Sequence, residues 1–119
     1  MTYLEEEEGT YLFFTEQTGS FRVTPLQLEG KRNFDAYNFL IARQEEYEGK
    51  IQVNLVGNNY LYYKSNDEDD DLLIYNWIFA KNSKIIYCSY TIDSNSEKDD
   101  TIIAERKEIF KIIEELSFD

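Results

Sequence analysis

Between residues 72 and 92 the apolar and polar positions segregate with a period of two on either side of a polar pair, Asn82-Ser83. Folding the stretch about that pair sets Phe79 opposite Ile86, Trp77 opposite Cys88, Tyr75 opposite Tyr90 and Leu73 opposite Ile92 on one face. Ala80 with Ile85, Ile78 with Tyr87, Asn76 with Ser89 and Ile74 with Thr91 then make a mixed second face. A slip of one residue would scramble this segregation, so the hydrophobic pattern and a two-residue loop predict the same register. Asn82 tolerates the positive φ that a type I′ turn demands. The hairpin holds the only tryptophan and the only cysteine, and it reads as the floor of the fold.

The rest of the chain predicts more strands and one helix. Residues 1–8 are an acidic lead-in; 10–15 (TYLFFT) have the β-branched and aromatic density of a strand, and 16–20 are a turn. Phe21 and Val23 share one face of the next strand, which Pro25, the only proline, ends or confines to an edge. Residues 26–49 admit two readings. As a helix, Phe34, Tyr37, Ile41 and Gln44 form a stripe with Leu40 and Tyr47 beside it and Asn33 as cap. As strands, 38–44 and 51–56 make a hairpin with Gly49 in the turn, and we take this reading from Asn38 onward, with at most a helical turn at 34–37. Ile51, Val53 and Leu55 alternate with Gln52 and Asn54 as a half-buried strand would, and 57–59 turn it into a strand over 60–64. Residues 65–71 read as a solvated acidic loop.

After a capping-rich run at 93–100, a helix of about sixteen residues is predicted from Thr101. Ile102, Arg106, Ile109, Ile113 and Leu116, flanked by Ile103, Phe110 and Ile112, form its apolar side, with Glu105, Glu108, Lys111, Glu114 and Glu115 facing out. Its natural seat is the row Leu73, Tyr75, Trp77, Phe79. Covering those side chains contributes on the order of 6 to 12 kcal/mol before entropy is subtracted. The expected fold is therefore α+β, one domain over 1–119, with a single antiparallel sheet of about five to seven strands, a meander of hairpins, covered by the C-terminal amphipathic helix.

Composition narrows the function. Against 12 basic residues stand 24 acidic ones, a net charge of -12, which repels nucleic acid and anionic membranes and favours cationic partners. The start of the chain lacks the pattern of a signal peptide, and no stretch reaches the roughly twenty apolar residues of a membrane span. A lone cysteine on the core-facing row makes no internal disulfide, so a reducing, cytoplasmic setting is expected. With no histidine, the commonest general base and most zinc sites are gone. The spacing of Asp67, Asp69 and Asp71 begins like a calcium loop, but Leu72 and Ile78 stand where glycine and glutamate are needed. The five glycines, scattered singly, make no phosphate loop. No enzyme, no metal and no cofactor are expected.

What remains is recognition by surface. The candidate contacts are Asp67, Glu68, Asp69, Asp70 and Asp71; Glu45, Glu46 and Glu48; and the tyrosines Tyr47, Tyr62 and Tyr63, with Tyr60 nearby. Acids draw in a cationic partner, and tyrosines supply desolvated contact area. The expected partner is a protein with a basic surface, a toxin or effector, bound by a monomer or homodimer. An immunity protein is the first expectation; a phage-type inhibitor that mimics DNA with ordered carboxylates is the alternative.

The order of parts, Thr18-Gly-Ser-Phe-Arg-Val-Thr-Pro25, a middle hairpin, Trp77-Ile-Phe running to Tyr90 and a helix closing with Leu116-Ser-Phe118, resembles small bacterial α/β sandwich proteins of the PsbP-like fold, immunity-type proteins among them. The resemblance implies an antiparallel sheet flanked by helices, serving binding or accessory roles. It implies no catalytic residue.

Overall fold

The computed structural model describes residues 2–7, 10–14, 19–27 and 35–118, with side chains described from residue 19 onward. Its strands are β1 (Thr2–Glu7), β2 (Thr10–Phe14), β3 (Ser20–Gln27), β4 (Lys50–Val53), β5 (Asn59–Asp67), β6 (Leu72–Lys81) and β7 (Lys84–Asp93); its helices are α1 (Ala36–Tyr47) and α2 (Asp100–Glu115). All seven strands join one antiparallel sheet in the order β1-β2-β3-β7-β6-β5-β4. The fold is α+β with a single antiparallel sheet.

The central hairpin has the expected register, from Lys81 opposite Lys84 to Leu73 opposite Ile92. Its turn differs in one respect: Asn82 has a positive φ of 54° and Ser83 does not, whereas type I′ requires both. Nor is the sheet one continuous meander. β3 pairs with β7, and the chain then passes through α1 to start β4 on the far edge.

Two further expectations are corrected, and the alternative left open at Pro25 is decided. The acidic lead-in is strand β1, paired with β2; glutamates on an outermost strand discourage pairing with other chains, a use of poor strand formers that local propensity does not reveal. Pro25 does not end β3, which continues to Gln27. Its described partner is Ile86 of β7, beyond the last β2 partner at Val23, so the proline occupies a one-sided part of the strand.

The hairpin expected from Asn38 is helix α1. Its cap is Asp35, whose carboxylate accepts the Asn38 N–H at 3.0 Å. Glu48 closes the helix in the left-handed conformation (φ 55°), its N–H on the Gln44 carbonyl. Glycine follows rather than fills that position because a Cβ at Gly49 would stand 2.6 Å from the Tyr62 carbonyl oxygen. Asn33 and Phe34, named for the helical reading, lie outside the described residues.

The two faces of the sheet bury different clusters. Phe21, Tyr60, Leu73, Tyr75, Trp77, Phe79, Cys88, Tyr90 and Ile92 share one with Ile102, Ile109 and Ile113 of α2. Trp77, 1% exposed, has the rings of Phe110 at 5.5 Å, Tyr62 at 5.7 Å and Phe21 at 6.3 Å around it. On the opposite face Leu40 of α1 packs with Leu61, Ile78, Ala80 and Ile85.

Polar bonds fix α2 in place. Arg106 lies on the apolar stripe because its guanidinium donates to the Tyr75 hydroxyl at 2.8 Å. Glu105, expected to face out, turns inward to accept from the Tyr90 hydroxyl at 2.8 Å and the Gly19 N–H at 3.0 Å. At the C-terminal end, where a helix leaves carbonyls without partners, buried Asn54 donates to the carbonyls of Ile113 (2.9 Å) and Leu116 (3.0 Å), and Asn58 donates to Leu116 at 2.9 Å. Asn54 Oδ1 accepts the N–H groups of Val56 and Asn58, and Gly57 takes the positive φ of 89° that this β4–β5 turn needs.

Candidate binding surface

The acidic residues 65–71 do not form a long loop. β5 runs through Asp67, which pairs with Leu72, leaving only 68–71 as a turn. Asp71 enters β6 with a φ of 52°, and its carbonyl accepts the Ser94 N–H at 2.8 Å. The Asp67 carboxylate accepts the Asp70 N–H at 3.4 Å. Glu68, Asp69, Asp70 and Asp71 are exposed and Asp67 is half-buried. Two strands and a backbone bond thus hold the carboxylates out, with like charges kept in water as their mutual repulsion requires. No group of three or more His, Cys, Asp or Glu able to hold a metal ion occurs among the described residues.

Beside this turn, Glu97 accepts from Lys64 at 3.1 Å and from the Tyr75 hydroxyl at 3.0 Å. Those bonds, the lysine's foremost, hold its carboxyl below the usual range.

The second acidic group sits at the end of α1. Glu45, Glu46 and Glu48 are exposed, with Glu46 paired to Arg43 at 3.2 Å. Tyr47 between them is exposed and stacks on Tyr63, ring centroids 4.5 Å apart and planes 8° from parallel. Burial pushes the Tyr63 hydroxyl up to about 12, with Tyr47, Tyr87 and Glu46 adding to the effect.

Tyr62 does not join this group. Successive strand residues point to opposite faces, and Tyr62 packs against Trp77 and Phe110 on the α2 side, where burial pushes it up to about 12. Tyr60, 5% exposed, is core; its hydroxyl donates to Gln52 at 2.8 Å. Of the tyrosines named from the sequence, Tyr47 and Tyr63 therefore stand together on one face. From Tyr63 to Asp67 is four residues of β5, roughly 13 Å, so the two acidic groups are separate patches rather than one site.

Two surface features escaped the sequence reading. One is a shallow hollow of about 120 Å³ on the sheet face that α1 leaves open, lined by Arg22, Thr24, Tyr63, Asn76, Tyr87 and Ser89 among others. The ladder sets Arg22 beside Ser89, Ser89 beside Asn76 and Asn76 beside Tyr63, a polar row across four strands. Asn76 is tied down by its Nδ2, which donates to Ser65 Oγ at 3.0 Å and the Ile74 carbonyl at 3.2 Å. The hollow is smaller than the roughly 300 Å³ at which small-molecule pockets begin. Its signal in the sequence was the mixed second face of the hairpin.

The other feature is apolar. Val53, Leu55 and Val56 are 61%, 83% and 54% exposed, although alternation placed Val53 and Leu55 on a half-buried face. β4 ends at Val53, and Asn54, not Leu55, turns into the core.

The chain matches no family model and no curated protein. Among solved structures it is similar in fold to a Bacteroides thetaiotaomicron protein, with a TM-score of 0.60, 19% identity and 87% of this chain covered. The chain spans 40% of that protein's length. A Pseudomonas aeruginosa protein of unknown function, provisionally named a regulator, aligns with a TM-score of 0.60 at 13% identity, over 92% of this chain and 83% of that one. At such identities the likeness concerns the fold alone. No described helix is long and apolar enough to cross a membrane.

Proposed function

We propose that this chain is a non-enzymatic, cytoplasmic protein-binding module that neutralises a basic partner, as an immunity protein neutralises a toxin. The observation that carries the reading is the turn at 68–71, four consecutive exposed carboxylates on a backbone fixed by β5, β6 and the Ser94 bond. A preordered anionic group attracts a cationic surface over long range and loses little entropy when it docks. The net charge of -12 extends that field over the whole molecule. In the same reading α2 is the layer that covers the aromatic face, giving a sandwich of the PsbP-like kind whose helix is structural and whose rim binds.

Association with purified basic toxin domains, followed by stopped-flow across ionic strength, tests this. The on-rate should fall steeply as the screening length shortens from about 10 Å at 0.1 M salt to about 3 Å at 1 M. Binding whose rate ignores salt would remove the acidic rim from the mechanism. If instead the chain displaces DNA from a nucleic-acid-binding protein, the DNA-mimic reading takes its place.

A further inference from the structure

β4 is the outermost strand at its side of the sheet, and among the described residues its only ladder partner is β5. The phase of that ladder follows from one bond: the Asn54 N–H donates to the Asn58 carbonyl at 2.9 Å, in register with the pairs Gln52 with Tyr60 and Lys50 with Tyr62. Antiparallel pairs alternate, so residues 50, 52 and 54 turn their backbone groups toward β5. Ile51 and Val53 present an N–H and a carbonyl each to the outside. At the end of this edge stand the exposed Val53, Leu55 and Val56.

We infer that the β4 edge is a docking site for an extended, basic segment of the partner protein, which adds to the sheet as an eighth strand. The inference rests on the basic-partner reading above and adds to the acidic turn, which draws the partner in, a second point of contact and a mode of docking. Ladder bonds to Ile51 and Val53 would supply affinity, and the apolar knuckle would take alternate side chains of the incoming strand. Charge selects that occupant over a second copy of this chain. Acids stand at both ends of the edge and outnumber its one cation, exposed Lys50: Glu48 lies two residues before that lysine, and Glu114 meets the Leu55 N–H through both its carbonyl and its carboxylate, each at 3.1 Å. A second copy would bring another net charge of -12 to this edge.

The test titrates the full, isotopically labelled chain with a blocked peptide of four Lys-Val repeats and reads amide shifts and exchange protection. Shifts centred on Ile51, Val53, Leu55 and Val56, with new protection of the Ile51 and Val53 amides, are expected. Val53→Pro deletes an outward N–H and leaves the β5 bonds intact, so it should weaken binding about tenfold, the loss of one ladder bond; Val53→Thr keeps the N–H and should bind nearly as wild type. Equal binding by a Glu-Val peptide would overturn the charge selection, and a β4-to-β4 dimer in sedimentation would overturn the choice of a foreign strand. Shifts at 67–71 or around Arg22 instead would overturn edge docking while sparing the basic-partner reading. Failure of the chain to bind any basic peptide or protein would overturn both.

Discussion

The two faces of the sheet are built from the same strands and meet different fates. Toward α2, Phe21, Tyr90, Tyr75 and Trp77 are buried across three strands and cluster with three isoleucines of α2. Toward α1 the buried cluster is small, ending where the polar row of Arg22, Ser89 and Asn76 begins. A strand can serve both because its side chains alternate. The larger buried cluster lies on the first face, and the second face carries the polar row.

Replacing one residue from each face is the strongest test of that division. Trp77→Ala should cost about 3–5 kcal/mol and its neighbour Ile78→Ala about 2–4 kcal/mol in chemical denaturation, both being buried. A costlier Ile78 variant would reverse the ranking of the faces. Next comes the clamp on α2. Asn54→Asp retains the acceptor for Val56 and Asn58, but cannot donate to the Ile113 and Leu116 carbonyls and sets a negative charge at the helix C-terminus. A loss of about 2–3 kcal/mol is expected, and a silent variant would mean that α2 is held by its isoleucines alone.

Alkali probes both faces together. Tyr62 on one and Tyr63 on the other have hydroxyls raised from 10.0 to about 12 by burial. A raised pKa favours the protonated form in the folded state, so their contribution is complete below pH 10 and is lost as pH climbs to about 12. The tyrosinate absorbance of these two rings, read as the difference from a Tyr62→Phe, Tyr63→Phe variant, should therefore appear late, together with loss of near-ultraviolet dichroism; a difference centred at pH 10 in the intact fold would contradict the burial of both rings. The smallest effect is expected at the exposed stack, where Tyr47→Ala should cost about 0.5–1 kcal/mol.

Where one side of a pattern was buried and the other mixed, period two was enough to read the structure. The 72–92 hairpin and its register were legible for that reason, as was the buried stripe of α2. Helix α1 was not, because Phe39 and Ala42 lie off the stripe of Tyr37, Leu40 and Ile41, and only Leu40 is buried. β1 was hidden by its glutamates, since a strand that exists through pairing with β2 leaves little trace in its own propensities. On the candidate surface, charge made the acidic turn visible without side-chain geometry. Adjacent Tyr62 and Tyr63 could not be sorted to faces before the β5 register was known, and alternation at Val53 and Leu55 does not say whether anything lies over them.

The proposed division between a structural face and a binding rim meets its most direct test in one triple variant, Asp69→Lys, Asp70→Lys and Asp71→Lys. All three side chains are exposed, so unfolding should shift by no more than about 0.5 kcal/mol per site. Measured by stopped-flow against a basic partner at low salt, the association rate should fall by about tenfold or more. An unchanged rate in a fully folded variant would contradict the assignment of binding to this rim.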